Sequence, residues 1–585
     1  MSTSTSTSTS TLPRFSDPRD VDEFVATLEA FERGEIGPDQ FRAFRLVRGI
    51  YGQRQEGTQM VRVKIPFGRL DEAGLVALAD VADRWSRGFG HVTTRQNVQF
   101  HFVDLKAVES VMQRLDEAGL TTREACGNSV RAVTACELAE VCASAPFDVS
   151  PYAEAITRHF LRHPLAASLP RKFKIAFSGC ANDCAKAAIH DLGLIAEVRD
   201  GEKGFRVVAA GGLSSSPRNA LVIHEWVRAS ELGRVGEAVV RLFHRLGNRD
   251  NRARARLKYV LKKLGDEGFK KTYAEIREEV DAEAASELTL PVPYAGKPGG
   301  PILAEDGKRT PEYLSWRATS VVAQKGTTGD ASSEGAGHVA VYVRLLLGDI
   351  SSRQLRELGR IATEFGDGTV RLTIDQNILI PWVDRRSLPA LFARLSAEGL
   401  ARLDLHTARD VTSCQGADTC NLAVTSSRAV AKAITDKLEA VGLGAHGDAA
   451  KTLIKVSGCP NSCGQHHIAD LGFHGGAKTV GHDTVPVYQL HLGGGVDARG
   501  ARFGRQVVKI VARRVPEAVV GLLKLYDAEH APGETPAAFF ERVDGKRVVA
   551  ALGDIVTAPP QADEITDVGE TNGFLVQTGA GECAA

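Results

Sequence analysis

Ser178-Gly-Cys-Ala-Asn-Asp-Cys184, with Asp191-Leu-Gly193 after it, is written a second time as Ser457-Gly-Cys-Pro-Asn-Ser-Cys463, with Asp470-Leu-Gly472 after it. Upstream of each copy lies another matching pair, His91-Val-Thr-Thr-Arg-Gln-Asn-Val-Gln99 and Arg371-Leu-Thr-Ile-Asp-Gln-Asn-Ile-Leu379. Two motifs repeated in the same order make the chain two homologous halves joined head to tail, so the expected architecture is pseudo-twofold.

Each half opens on one hydropathy pattern. In the first, Gln59 to Pro66 alternates like a strand and Asp71 to Trp85 has helical periodicity; His91 to Val103 reads as a strand or hairpin and Leu105 to Ala118 as a helix. The second half repeats this with a strand over His338 to Leu347, a helix over Ser351 to Phe365, a strand over Thr369 to Val383 and a helix over Ser387 to Glu398. Alternation at this scale predicts a small α/β layer in each half. Leu288 to Gly337, rich in Pro, Gly, Ser and Thr, reads as a long surface connector. The stretch from about Thr557 onward, with a lone exposed Cys583, reads as a loosely held tail, and the Ser-Thr alternation from Ser2 to Thr11 as a disordered one.

A chain of 585 residues has room for roughly four domains or half-domains. Lys plus Arg and Asp plus Glu stand at 72 each, so nothing global points to nucleic acid or a membrane surface, and binding charge must be local. Without a run of roughly 18 apolar residues or an apolar N-terminal core, a cytoplasmic location is the default expectation. In that reducing compartment ten cysteines are ligands or catalytic groups before they are disulfides.

In the second half five residues separate Cys414 from Cys420, and three separate Cys459 from Cys463. Thiolates so spaced on two turns can converge on the corners of one iron–sulfur cubane. Zinc is the competing metal, although structural zinc pairs sit closer together in a compact ribbon. Simple burial of small residues would not produce two gapped pairs flanked by Gly and Asn.

The motifs Thr412-Ser-Cys-Gln-Gly-Ala-Asp-Thr-Cys420 and Ser457-Gly-Cys-Pro-Asn-Ser-Cys-Gly464 resemble the cluster and sirohaem signature of assimilatory sulfite and nitrite reductases, over about residues 40 to 535. That resemblance implies an α/β (α+β) duplicated nitrite/sulfite reductase fold, each half a ferredoxin-like small domain plus a larger α/β sirohaem and cluster domain. The boundaries it implies are a tail over 1–20, a first ferredoxin-like half-domain with an N-terminal helix over 21–120, and a first sirohaem-type domain over 121–285. A linker over 286–337, a second ferredoxin-like half-domain over 338–402, a second sirohaem/4Fe-4S domain over 403–535 and an extension over 536–585 follow. Cys414, Cys420, Cys459 and Cys463 are then the 4Fe-4S ligands, with Cys463 bridging to the sirohaem iron. A bridging thiolate couples the electron store directly to the reacting iron.

A small anion that must shed oxygen as water needs fixed positive charge and proton donors on the opposite face. The resemblance assigns this cage to Arg95, Arg131, Lys172 and Lys174, all from the first half; in Lys172-Phe-Lys174 the alternation turns both ammonium groups to one side of an extended segment. Sirohaem carries many carboxylates, which Arg54, Arg62, Lys64 and Arg171 are expected to serve, with Gln96, Asn97 and Asn461 hydrogen-bonding nearby. The first half also keeps Cys136, Cys142, Cys180 and Cys184 at the same spacings, a departure from the assimilatory pattern that leaves a second cluster, a second sirohaem or vestigial thiols open. Alignment of the halves puts Asp375 where Arg95 stands and Leu453 opposite Lys174, while Arg409 and Lys451 match Arg131 and Lys172. An acid and an apolar side chain degrade the mirror cage, so one catalytic site is expected.

Two lysines in this motif resemble the sulfite type, and largely dianionic sulfite gains more from a second cation than nitrite does. Sulfite reduction is therefore the expected reaction, with nitrite reduction on the same site, or a non-catalytic iron–sulfur electron carrier, as alternatives. Tyr51 and Cys126 stand in contexts similar to a Tyr-Cys thioether of some relatives, or are an ordinary tyrosine and thiol. No dinucleotide motif is present: Gly493-Gly-Gly495 lacks the surrounding strand and helix. Electrons must come from a separate protein such as ferredoxin, and Arg252, Arg254, Arg256, Lys258, Lys262 and Lys263 form either its docking face or a solvated helix face.

Overall fold

A computed structural model describes residues 12–283, 287–294, 296–303, 309–326, 336–579 and 582. Its central body is two five-stranded antiparallel sheets, one from each half. In the first, Ile50–Gly52, Thr58–Val63, Val98–Asp104 and Phe89–Val92 lie side by side; in the second, Val321–Ala323, His338–Val343, Ile378–Asp384 and Thr369–Leu372 do. The fifth strand of each comes from the other half: Asp349–Ser351 pairs with Phe89–Val92, and Arg69–Asp71 with Thr369–Leu372. Before each exchanged strand the chain turns through left-handed residues, Phe67 and Gly68 (φ 44° and 71°) and Leu347 and Gly348 (φ 57° and 73°). A Cβ on Gly68 would lie 2.6 Å from the Leu372 carbonyl oxygen, and one on Gly348 2.7 Å from that of Val92, so glycine permits the close crossing.

Asp71 and Ser351 then cap the helices Glu72–Trp85 and Ser352–Phe365, which pack on each other. The result is one hydrophobic core shared by both small half-domains, from Phe24 and Leu75 to Leu358 and Phe365, rather than two separate layers.

Each half continues into a larger domain. Thr134–Ala135, Ile175–Ser178 and Leu192–Arg199 pair in parallel and are extended antiparallel by Glu202–Ala209 and Leu221–Arg228. Thr412–Ser413, Ile454–Ser457, Leu471–Val480, Asp483–Leu492 and Arg505–Val511 repeat this order. Each sheet has its own core, covered by Leu232–Leu246 and Leu257–Ala282 in the first half and by Ser427–Ala440 and Val515–Glu529 in the second. Short parallel strands end at the cysteine loops, so both cysteine pairs of a half leave the same sheet edge.

Three expectations change. The connector contains a helix, Pro311–Ser320, and the strand Val321–Ala323; Trp316 is fully buried in the shared core, where a side chain of that size contributes on the order of 3 kcal/mol. Past residue 535, helices Pro536–Arg542 and Gly545–Leu552 put Phe539, Phe540 and Val548 into the second large core. Beyond Thr557 the chain is held, Arg514 pairing with Glu564 and Asp567 accepting from the Ser426 N–H at 2.7 Å. At the other end the helix Pro18–Glu32 starts inside the expected tail, with Asp17 as its cap; Ser2 to Thr11 and Cys583 lie outside the described residues. Among the described residues no helix is long and apolar enough to cross a membrane.

Candidate active site

Parallel pairing of Thr412 with Lys455 and Ser413 with Val456 sets the loop bearing Cys414 and Cys420 beside the one bearing Cys459 and Cys463. The Gly458 N–H donates to Cys414 Sγ at 3.3 Å, Ser427 Oγ lies 3.2 Å from the same sulfur, and the Asn461 N–H bonds to the Cys459 sulfur. Burial, then the neighbouring Cys463 thiolate, pushes the Cys414 thiol up; burial and the other thiolates push Cys459 far up. Thiols that oppose one another's ionisation become charged together only when metal takes their protons' place. Among the described residues no three of these sulfurs lie within 4.8 Å of one another. The five-residue gap between Cys414 and Cys420 is what disfavours a compact zinc ribbon.

Across from this frame the first half presents cations. Thr94 Oγ1 donates to the Cys463 carbonyl at 3.1 Å, which fixes the Arg95 loop against the exposed Cys463. Arg95 is held by Nη2 to the Ala132 carbonyl at 2.6 Å and by Nη1, 2.5 Å from His190 Nε2; burial, then Arg131, lowers its pKa to about 9. Half-buried Lys174 lies close enough to Cys463 for that thiolate to oppose the shift. Burial first, then Arg95, Arg256 and Lys172, holds its ammonium well below the usual lysine range. Fixed cations gathered here pay a repulsion that a bound anion would relieve.

The mirror arrangement holds an acid among its cations. Asp375 bonds to Lys186 Nζ at 2.8 Å and Lys455 Nζ at 2.6 Å, and stays ionised far below the ordinary carboxylate range, although burial opposes this, because the two ammonium groups hold it. Arg409 donates to the carbonyls of Leu443 and Leu438, and Lys451 pairs with Asp448 at the surface. Of the first-half cage cations, Arg95 and Lys174 are replaced on the mirror side by Asp375 and Leu453.

Two family models match twice each: the nitrite and sulphite reductase 4Fe-4S domain over residues 126–281 and 405–553, and the nitrite/sulfite reductase ferredoxin-like half domain over 51–118 and 331–398. The chain belongs to the nitrite and sulfite reductase family. Within it, a protein named sulfite reductase [ferredoxin] from Mycobacterium tuberculosis is 30% identical over 85% of this chain and 87% of its own length. The assimilatory ferredoxin-dependent nitrite reductase of Haloferax mediterranei is 28% identical over 83% of each chain. The solved NirA protein of Mycobacterium tuberculosis superposes with a TM-score of 0.74 at 27% identity, covering 90% of this chain and 97% of that one.

Several residues carried over from the family pattern do structural work here. Gln96 donates to the carbonyls of Ala135 and Leu372 and accepts from the Ala135 N–H, and Asn97 accepts from the Ile65 N–H at 3.1 Å; both side chains are spent on buried backbone. Lys64 is buried against Glu124, 3.7 Å away. Arg54 clamps the cluster loop, donating to Ala423, Cys420 and Gln577 carbonyls at 2.7, 3.3 and 3.1 Å. Arg131 donates to the Gly127 and Ala125 carbonyls, a carbonyl that Arg62 also reaches. Asn461 is exposed and accepts from Ser214 Oγ; Arg171 and Lys172 are half-buried. Tyr51 and Cys126 share a buried cluster with Leu46 and Met60.

The basic run divides. Arg252, Arg254, Lys262 and Lys263 are exposed, whereas Arg256 pairs with buried Asp191 at 2.7 Å and Lys258 donates to the Leu213 and Ser216 carbonyls. Arg256 therefore belongs to the cage, as does His190; neither was marked by spacing, since one hid in a surface-like run and the other is a lone histidine.

Proposed function

We propose that this chain reduces sulfite to sulfide, with Cys414, Cys420, Cys459 and Cys463 holding the 4Fe-4S cluster and Cys463 joining it to sirohaem. One observation carries the reading: Lys174 stands beside Cys463 with Arg95, Lys172 and Arg256 all close enough to depress its pKa. When bound, sirohaem and the cluster supply the iron that takes the anion and the single electrons that reduce it. The protein supplies charge, orientation and protons. Arg95, anchored on two sides, offers a rigid guanidinium to an anionic oxygen. Lys174, with its lowered pKa, can attract an oxygen as ammonium and hand it a proton as water leaves. A pure electron carrier has no use for such a cage.

Nitrite reduction to ammonia on the same residues is the second reading, supported by the nitrite reductases among the relatives. Sulfite is favoured because a dianion gains more than a monoanion from the second lysine. Relatives of both kinds are named for ferredoxin, and a ferredoxin would dock where Arg252, Arg254, Lys262 and Lys263 are exposed. The test is purification of the holoenzyme, an absorption spectrum and turnover with reduced methyl viologen. A sirohaem Soret band and a higher kcat/KM for sulfite than for nitrite are expected; absence of sirohaem, or turnover of nitrite alone, would refute the proposal.

A further inference from the structure

We propose that Cys136, Cys142, Cys180 and Cys184 hold a second 4Fe-4S cluster, one that carries no tetrapyrrole. The two cysteine frames share a backbone. Asp183 and Lys186 adopt left-handed conformations at φ 51° and 59°, and the equivalent Ser462 and Gln465 do so at 58° and 65°. Left-handed backbone is unfavourable for a non-glycine residue, so a loop that keeps two such residues in both halves is built to a shape. That shape aims amides at sulfur: the Asn182 N–H bonds to Cys180 as the Asn461 N–H does to Cys459.

The four thiols also meet. Cys136 hydrogen-bonds to Cys184 and Cys180 to Cys142, and Cys136 and Cys180 are buried.

The first-half frame differs from the second in what faces it. The carboxylate of Asp375, locked by Lys186 and Lys455, occupies the position from which Arg95 reaches toward the other frame. Tyr342 is buried beside Cys136 and Cys184, its hydroxyl donating to Glu137 at 3.4 Å. A carboxylate and a buried tyrosine in these positions disfavour an anionic tetrapyrrole at this frame.

Iron, acid-labile sulfide and sirohaem are counted per chain in anaerobically purified holoenzyme, with zinc measured in the same digest. About nine irons and eight sulfides per sirohaem are expected, against about five and four for a single cluster. The double variant Cys136→Ser/Cys180→Ser should lose about four irons and four sulfides while keeping its sirohaem band. Five irons in fully sirohaem-loaded protein, a stoichiometric zinc, or four first-half thiols open to alkylation would each overturn the proposal. Should the double variant fail to accumulate, the wild-type count alone decides. Because the count includes chains without sirohaem, where eight irons would still support a second cluster, its failure is distinguishable from failure of the sulfite reading.

Discussion

His190 Nε2 lies 2.5 Å from Arg95 Nη1, while Nδ1 of the same ring lies 2.6 Å from the Lys186 carbonyl. The carbonyl can only accept, so the ring proton sits on Nδ1 and Nε2 receives the guanidinium hydrogen bond. Burial, then Arg95 and Lys174, holds His190 neutral well below its ordinary range, which keeps that acceptor in place at every working pH. His190 is thus a positioning residue for Arg95. His190→Ala is expected to lower kcat/KM for sulfite about tenfold, chiefly through KM, with unchanged sirohaem content, and His190→Gln, which restores an acceptor, should recover most of it. Equal losses in both variants would mean that the ring serves packing alone.

Lys174→Asn removes the cation whose second charge favours a dianion. Sulfite turnover should fall about tenfold or more and nitrite turnover by clearly less. The ammonium pKa is lowered by burial and by Arg95, Arg256 and Lys172, so its charge is present at low pH and is lost as pH rises, earlier than for an ordinary lysine. In wild type the alkaline limb of the sulfite profile should therefore lie below the usual lysine range and should vanish in Lys174→Asn. Identical limbs in the two proteins would remove Lys174 from the anion site.

The duplication and the family were legible because repeated motifs leave a pattern in the chain itself. Strand exchange was not: Arg69–Asp71 and Asp349–Ser351 span three residues each, too few to show a period of two. Gln96 and Asn97 read as site residues because a repeated polar pair looks like a site, yet the repeat is also what two copies of one sheet crossing require. Gln376 donates to the Val92 carbonyl just as Gln96 does to that of Leu372. Arg256 and His190 became visible only once topology set Asp191 and Arg95 beside them. Charge and spacing name the chemistry; which cation reaches which carbonyl is decided by chain crossings that local sequence does not encode.

The exposed cations and the cage cations should separate by electron donor. Charge reversal at Arg252, Arg254, Lys262 and Lys263 is expected to raise KM for ferredoxin about tenfold at low salt and to leave methyl viologen turnover unchanged. Arg256→Ala, which frees buried Asp191, should impair turnover with both donors. A ferredoxin KM that ignores both the reversal and added salt would move the docking face elsewhere.

Asp470 occupies the place of Asp191 but, among the described residues, forms no arginine salt bridge like that of Asp191 with Arg256. Its carboxylate accepts the Leu453 N–H at 2.7 Å, and burial pushes its pKa up to about 7, with that hydrogen bond and Arg502 opposing. A carboxyl whose folded pKa exceeds its unfolded value of 3.8 contributes stability fully below that lower pH and loses it as pH rises toward about 7. Wild-type protein should accordingly lose on the order of a few kcal/mol from this group between about pH 4 and 7, and little more above that. Asp470→Asn keeps the acceptor for Leu453 without the ionisation, so its urea midpoint should exceed that of wild type at pH 7.5, and the two should converge near pH 4. Parallel pH profiles for the two proteins would show that Asp470 ionises freely in the folded chain.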